Sequence, residues 1–213
     1  MSLAFLFPGQ GSQVKGMGTD VFHRYPELIE QANQELGYSL SDLCLEDAKE
    51  QLSQTQFTQP ALFLVSFLEG KAKIDDGQIP DVAAGHSVGE FAALALAGCV
   101  SFLDGLRMVS KRGNIMSQVT GGGMAAVIGM EVEKIQSTLE QIGAEQVDLA
   151  NFNSPGQVVI SGPAAQIKTT LIPLKDAGAR MVVPLKVSGA FHSRMMEEPA
   201  REFGKFLEEI RFS

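Results

Sequence analysis

An α/β fold with a parallel-sheet core and a smaller inserted subdomain is predicted by three features of the sequence. A short apolar run, residues 3–7, stops at Pro8-Gly9 and is followed by a segment of helical periodicity. Gly85-His86-Ser87-Val88-Gly89 lies between a strand candidate and an Ala- and Leu-rich helix candidate. The elements of residues 123–187 follow the order βαββαβ, a ferredoxin-like arrangement that closes as a four-stranded antiparallel sheet with two helices.

Taken in order, residues 3–7 form a continuous apolar strand of the kind buried in a parallel sheet. From Asp20 to Leu36 the apolar positions Val21, Tyr25, Leu28, Ile29 and Ala32 recur at helical spacing, and Gly37 supplies a stop. Residues 41–54 read as short helical turns, and Gln59-Pro60 as the start of a further helix, with a polar stretch at 70–78 after it. Ile79–Ala84 is a strand candidate, and Phe91–Ala97 a helix because Ala and Leu favour it. Another helix over 101–119 has Ser101 as N-cap and Asp104 in its first turn. Within the insert, Met124–Met130 is a strand, 131–142 a helix, 147–152 and 157–161 two strands, 163–177 a helix and 179–187 a strand. Glu197–Ile210 reads as a closing helix. The core therefore comprises 1–122 and 188–213, and the subdomain 123–187.

Composition narrows the function classes. The chain has 213 residues, 45% hydrophobic and 20% charged, enough for a sizeable core. A formal net charge of -8 argues against a non-specific nucleic-acid binder, which needs excess Lys and Arg, but leaves room for a small anionic substrate met by a local cation. No stretch approaches the roughly 18 apolar residues that cross a bilayer. The apolar start lacks a basic region and meets Pro8-Gly9 too early for a signal peptide. Cys44 and Cys99 show neither disulfide nor zinc spacing and read as buried small residues in a reducing compartment. The expected location is cytoplasmic, with no metal and no cofactor.

Gly85-His86-Ser87-Val88-Gly89 matches G-x-S-x-G in the strand–turn–helix context of a nucleophile elbow. The pattern alone is weak and also fits a tight structural turn. In context it puts Ser87 at a helix N-terminus, where partial positive charge favours a developing oxyanion. A serine nucleophile needs a base, and the three histidines are His23, His86 and His192. His23 lies on an amphipathic helix, and His86 flanks the serine with its side chain expected to point away. His192 follows the last strand of the insert in Gly189-Ala190-Phe191-His192-Ser193, so elimination favours it. Gln10 follows the first strand; its backbone N–H and that of Val88 can form an oxyanion hole, although Pro-Gly-Gln-Gly alone is more often only a turn. Arg112 on its own reads as part of a solvated helix face.

Together, Phe7-Pro8-Gly9-Gln10-Gly11-Ser12-Gln13, Gln59-Pro60-Ala61, Gly85-His86-Ser87-Val88-Gly89-Glu90, Arg112-Gly113, Asn151-Phe152-Asn153-Ser154-Pro155-Gly156-Gln157 and Gly189-Ala190-Phe191-His192-Ser193 resemble the malonyl-CoA:acyl carrier protein transacylases and polyketide synthase acyltransferases. The resemblance runs in order along essentially the whole chain. It implies an α/β-hydrolase-like core with a ferredoxin-like subdomain. Ser87 would be the nucleophile, His192 the base, the N–H groups of Gln10 and Val88 the oxyanion hole, and Arg112 the ligand of the malonyl carboxylate. The family completes no triad with an acid, so no Asp or Glu is nominated. The implied reaction is ping-pong, with malonyl-CoA and the phosphopantetheine thiol of an acyl carrier protein as substrates. Phe191 would fill the space that an α-methyl group needs.

Family members usually run longer. The resemblance implies a further core strand, helices covering the sheet and an orienting glutamine beyond Ser213, so apolar sheet surface is expected to be exposed and solubility poor unless a partner covers it. The start at Met1, with no ketosynthase sequence ahead, points to a free-standing enzyme. Two alternatives stay open: an acyl hydrolase of the same fold, against which Arg112 argues, and a non-catalytic carrier-protein docking module.

Overall fold

The parallel pair predicted for the core is formed by β1 (Ala4–Phe7) and β2 (Val82–Gly85), with Ala4 opposite Val82 and Phe7 opposite Gly85. It belongs to the first of two units, Met1–Ile115 with Phe203–Ser213; the second is Met116–Glu202. The structure, a computed structural model, describes residues 2–187 and 189–213. Ser188, the expected point of return to the core, and Met1, the expected free start, lie outside the described residues.

In the first unit the helices are α1 (Pro26–Leu36), α2 (Leu40–Leu45), α3 (Thr55–Asp75), α4 (Gly89–Leu96) and α5 (Phe102–Ser117), whose last two residues belong to the second unit. The Asp20–Leu36 periodicity splits: a 3-10 turn, Phe22–Arg24, precedes α1, which starts on Pro26 because its fixed φ and missing N–H suit a first helical position. Gly37 ends α1 at φ +75°, as expected. The helix expected to begin at Gln59-Pro60 begins at Thr55 and runs through the supposed polar separator to Asp75. Pro60 removes one internal hydrogen bond, but its neighbours Gln59, Ala61, Leu62, Phe63 and Leu64 are all buried, and that packing outweighs the lost bond. Ser101 caps α5 as predicted, its Oγ accepting the Asp104 N–H at 3.0 Å.

The first strand is buried on one face only, short of the fully buried strand expected at residues 3–7, and its other face shows the exposed apolar sheet surface that the resemblance implies. Phe5 and Phe7 are buried beneath the helices, whereas Leu6 is 77% and Val82 60% exposed on the opposite face. The run is apolar throughout, but α4 packs on the pair from one side. Cys44 is buried in the core and Cys99 only half-buried, so the reading of both as core residues holds for the first alone; both thiols are free. No helix among the described residues is long and apolar enough to cross a membrane.

The second unit holds β3 (Gly122–Ile128), α6 (Val132–Gln141), β4 (Asp148–Ser154), β5 (Gln157–Pro163), α7 (Ala164–Asp176) and β6 (Met181–Pro184). Its sheet order is β4-β5-β3-β6, antiparallel throughout, which is the ferredoxin-like topology. Alternation along β3 serves both faces: Ala125 and Val127 pack with Ile135, Leu139, Ile167 and Leu174 of the helices, while Met124 and Ala126 join Val159 and Phe191 on the other side. A 3-10 turn at Arg194–Met196 leads into α8 (Glu197–Leu207), whose residues from Phe203 on belong to the first unit, where Phe203, Phe206 and Leu207 join its core.

Candidate active site

Ser87 occupies the turn between β2 and α4 in a left-handed conformation, φ +53°. For a residue with a side chain this costs about 1–3 kcal/mol, and it persists only where the surroundings dictate it. They do so through glycines. A Cβ at Gly85 would collide with the Gly89 carbonyl carbon and the Glu90 nitrogen, and one at Gly89 with the Phe7 and Pro8 carbonyl oxygens. His86 N–H donates to the Phe7 carbonyl at 2.9 Å, tying the turn to the end of β1, and the His86 ring lies where a Cβ on Gly9 would stand. The turn thus has the strand–turn–helix geometry that the G-x-S-x-G pattern predicts.

The N–H groups of Gln10 and Val88 are nominated as an oxyanion hole, and among the described residues neither donates to a protein acceptor. Val88 is 1% exposed, so its N–H is withdrawn from bulk water. The Gln10 side chain is held separately, its Nε2 donating to Thr55 Oγ1 at 3.3 Å.

Arg112, read on its own as a solvated residue, is instead part of the same site. Its Nη2 donates to Ser87 Oγ at 3.1 Å and its Nη1 to Gln59 Oε1 at 2.8 Å, with the guanidinium carbon 5.7 Å from the centre of the Phe91 ring. Burial pulls its pKa down to about 10 against the opposing field of Glu90, which leaves it a cation at neutral pH. Gly113 explains how α5 comes so near α3: a Cβ there would stand 3.0 Å from the Thr55 carbonyl oxygen and 3.1 Å from the Gln56 Cα. Gln59, fully buried yet polar, stands out in the sequence only as part of Gln59-Pro60-Ala61 and has no role there; it lies between a mostly polar first turn, Thr55–Thr58, and the apolar run from Ala61.

His192 and Phe191 lie in the second unit. His192 is exposed and, like Ser87, left-handed, at φ +58°. Ala190 and Phe191 before it are 0% and 5% exposed, so the expected specificity residue is largely absorbed into the cluster with Met116, Met124 and Val159. Gly122 makes room for this segment, since a Cβ there would strike the Ala190 backbone. After it, Ser193 Oγ donates to the Ala190 carbonyl at 2.6 Å and accepts the Met195 N–H at 3.2 Å. Arg194 is gripped by Asp148, a residue with no signal in the sequence. Burial pushes the Asp148 carboxyl up, but the hydrogen bonds from the Arg194 guanidinium and N–H outweigh it and hold the group below its ordinary value. His23 and His86 are exposed, and among the described residues no cluster of three or more His, Cys, Asp or Glu could hold a metal ion.

Residues 4–211 match the family described as acyl transferase domain. The polyketide biosynthesis malonyl CoA-acyl carrier protein transacylase BaeC of Bacillus velezensis is 49% identical over 215 residues, 99% of this chain and 74% of that protein. The polyketide biosynthesis protein ThaF of Burkholderia thailandensis is 49% identical over 205 residues, 96% of this chain but only 18% of that protein. The crystal structure of malonyl CoA-acyl carrier protein transacylase from Burkholderia pseudomallei matches with a TM-score of 0.96 at 44% identity, over 100% of this chain and 73% of that one. The fold is therefore the predicted one, with a hydrolase-like core and a ferredoxin-like subdomain.

Proposed function

The chain belongs to the acyl transferase domain family, and from that membership we propose that it transfers a malonyl group from malonyl-CoA to the phosphopantetheine thiol of an acyl carrier protein. The observation that carries this reading is the 3.1 Å hydrogen bond from Arg112 to Ser87 Oγ. A malonyl carboxylate stands two bonds from the carbonyl carbon that a serine would attack, so a cation bonded to the nucleophile is within reach of it. A planar guanidinium can grip that carboxylate through two parallel hydrogen bonds. The relatives' names supply the substrates.

In this reading His192 takes the proton from the Ser87 hydroxyl as the oxygen attacks the thioester carbonyl. The tetrahedral oxyanion is held by the N–H groups of Gln10 and Val88, and collapses as the coenzyme A thiolate leaves and takes the proton from His192. The malonyl group then rests on Ser87 as an ester while Arg112 keeps its carboxylate. The carrier protein's thiol gives its proton to His192 and attacks the ester; collapse returns the proton to Ser87 and releases malonyl carrier protein. Phe191 limits the space beside the acyl α-carbon, although one methyl group discriminates by only ~1–3 kcal/mol. A cytoplasmic location is part of the proposal, supported by two free cysteines.

The test is transfer itself. Holo carrier protein incubated with malonyl-CoA and catalytic amounts of the chain should gain a malonyl group on its thiol, and His192→Ala should stop this. Release of free malonate with no loaded carrier would favour a hydrolase instead.

A further inference from the structure

A left-handed His192 implies that the chain on each side of it is held, because φ +58° costs any residue with a side chain, even histidine, which adopts it more often than most. Ahead of it, Ala190 and Phe191 are anchored by burial. Behind it, the Ser193 hydroxyl bridges Ala190 and Met195. The next residue meets the sheet: Asp148 Oδ2 accepts the Arg194 backbone N–H at 2.8 Å, and Oδ1 accepts from Arg194 Nε at 3.0 Å and Nη2 at 2.6 Å. Asp148 opens β4 and is paired with Ser161 of β5, so this carboxylate is fixed to the four-stranded sheet.

We propose that Asp148 is a positioning residue for His192: by holding the Arg194 backbone N–H it fixes the chain two residues after the imidazole and thereby sets where the base stands. The inference rests on the reading of His192 as the general base. The backbone bond is the part that matters. The Arg194 side chain is 55% exposed, where an ion pair holds little, whereas a charge-assisted bond to a backbone N–H restrains the loop directly. Asp148 touches neither substrate nor imidazole in this scheme, so its effect falls on the chemical step and not on substrate affinity.

The experiment is steady-state malonyl transfer by Asp148→Ala, Asp148→Asn, Arg194→Ala and His192→Ala, with thermal unfolding followed on each. Misplacing the base should lower the kcat of Asp148→Ala by about tenfold or more. The KM for malonyl-CoA should stay within about twofold. Asp148→Asn, whose amide oxygen still accepts the N–H, should recover most of kcat, and Arg194→Ala, which keeps that N–H, should stay near the unmodified chain. Should Asp148→Ala fail to fold, Asp148→Ser, whose oxygen falls one bond short, replaces it in the contrast with Asp148→Asn. Unchanged kcat in Asp148→Ala or Asp148→Ser alongside an inactive His192→Ala overturns the clamp alone, as does a loss that Asp148→Asn fails to recover. Normal turnover by His192→Ala overturns the base assignment and the clamp with it.

Discussion

One terminal nitrogen of Arg112 donates to Ser87 Oγ at 3.1 Å while the other donates to Gln59 Oε1 at 2.8 Å. The cation is thus held by a buried amide on one side and meets the Ser87 hydroxyl on the other. A carboxylated acyl group gives it a partner of opposite charge; an acetyl group does not. Removing one charged hydrogen-bond partner typically costs about 1.5–3 kcal/mol, which corresponds to roughly 10–150-fold. Arg112→Ala is therefore expected to lower malonyl loading by about that factor while acetyl loading is kept, as measured by the ratio of initial acylation rates with the two thioesters. An unchanged ratio would remove Arg112 from its role.

Gly85 faces the backbone of Gly89 and Glu90, atoms that cannot rotate aside. Gly85→Ala forces the elbow apart, with an expected loss of about 1–3 kcal/mol of stability in denaturant unfolding and loss of Ser87 acylation even where the chain still folds. Gly156→Ala, at a turn where an added Cβ meets nothing within 4 Å, is the matched control and should leave acylation unchanged.

Asp148 gives a pH signature with a defined sign. Its folded pKa lies below the ordinary 3.8, so its contribution to stability is complete above the unfolded value and disappears as pH falls through the folded one. The stability difference between the unmodified chain and Asp148→Asn should be constant from neutral pH down to about 5 and shrink below about 4, followed by urea unfolding at each pH. A difference that grows on acidification would contradict the direction of the shift.

The parts of this molecule that were legible in the sequence are those fixed by local chemistry. The elbow is written in two glycines around Ser87, the α5 cap in Ser101, and the ferredoxin-like unit in its run of short strands and helices. The α3 start was missed because a proline at its sixth position suggests a beginning, while burial on all sides allows an interior. Gln59 appears only inside the Gln59-Pro60-Ala61 motif without a role, and Asp148 not at all, for a different reason: their partners lie 53 and 46 residues away, and nothing local tells which polar side chain will meet an arginine after folding. Arg112 read alone looked solvated because a helix face is judged from its own residues, and the glycine that lets α5 close on α3 acts only across the interface. The resemblance to known transacylases carried that residue, where periodicity did not.

Acyl loading of Ser87 is the step on which everything else depends, and intact-protein mass spectrometry reads it directly. Mixed with malonyl-CoA, the chain should gain one malonyl group, and Ser87→Ala should gain none. An adduct that survives in Ser87→Ala, or its absence from the unmodified chain, would contradict the account.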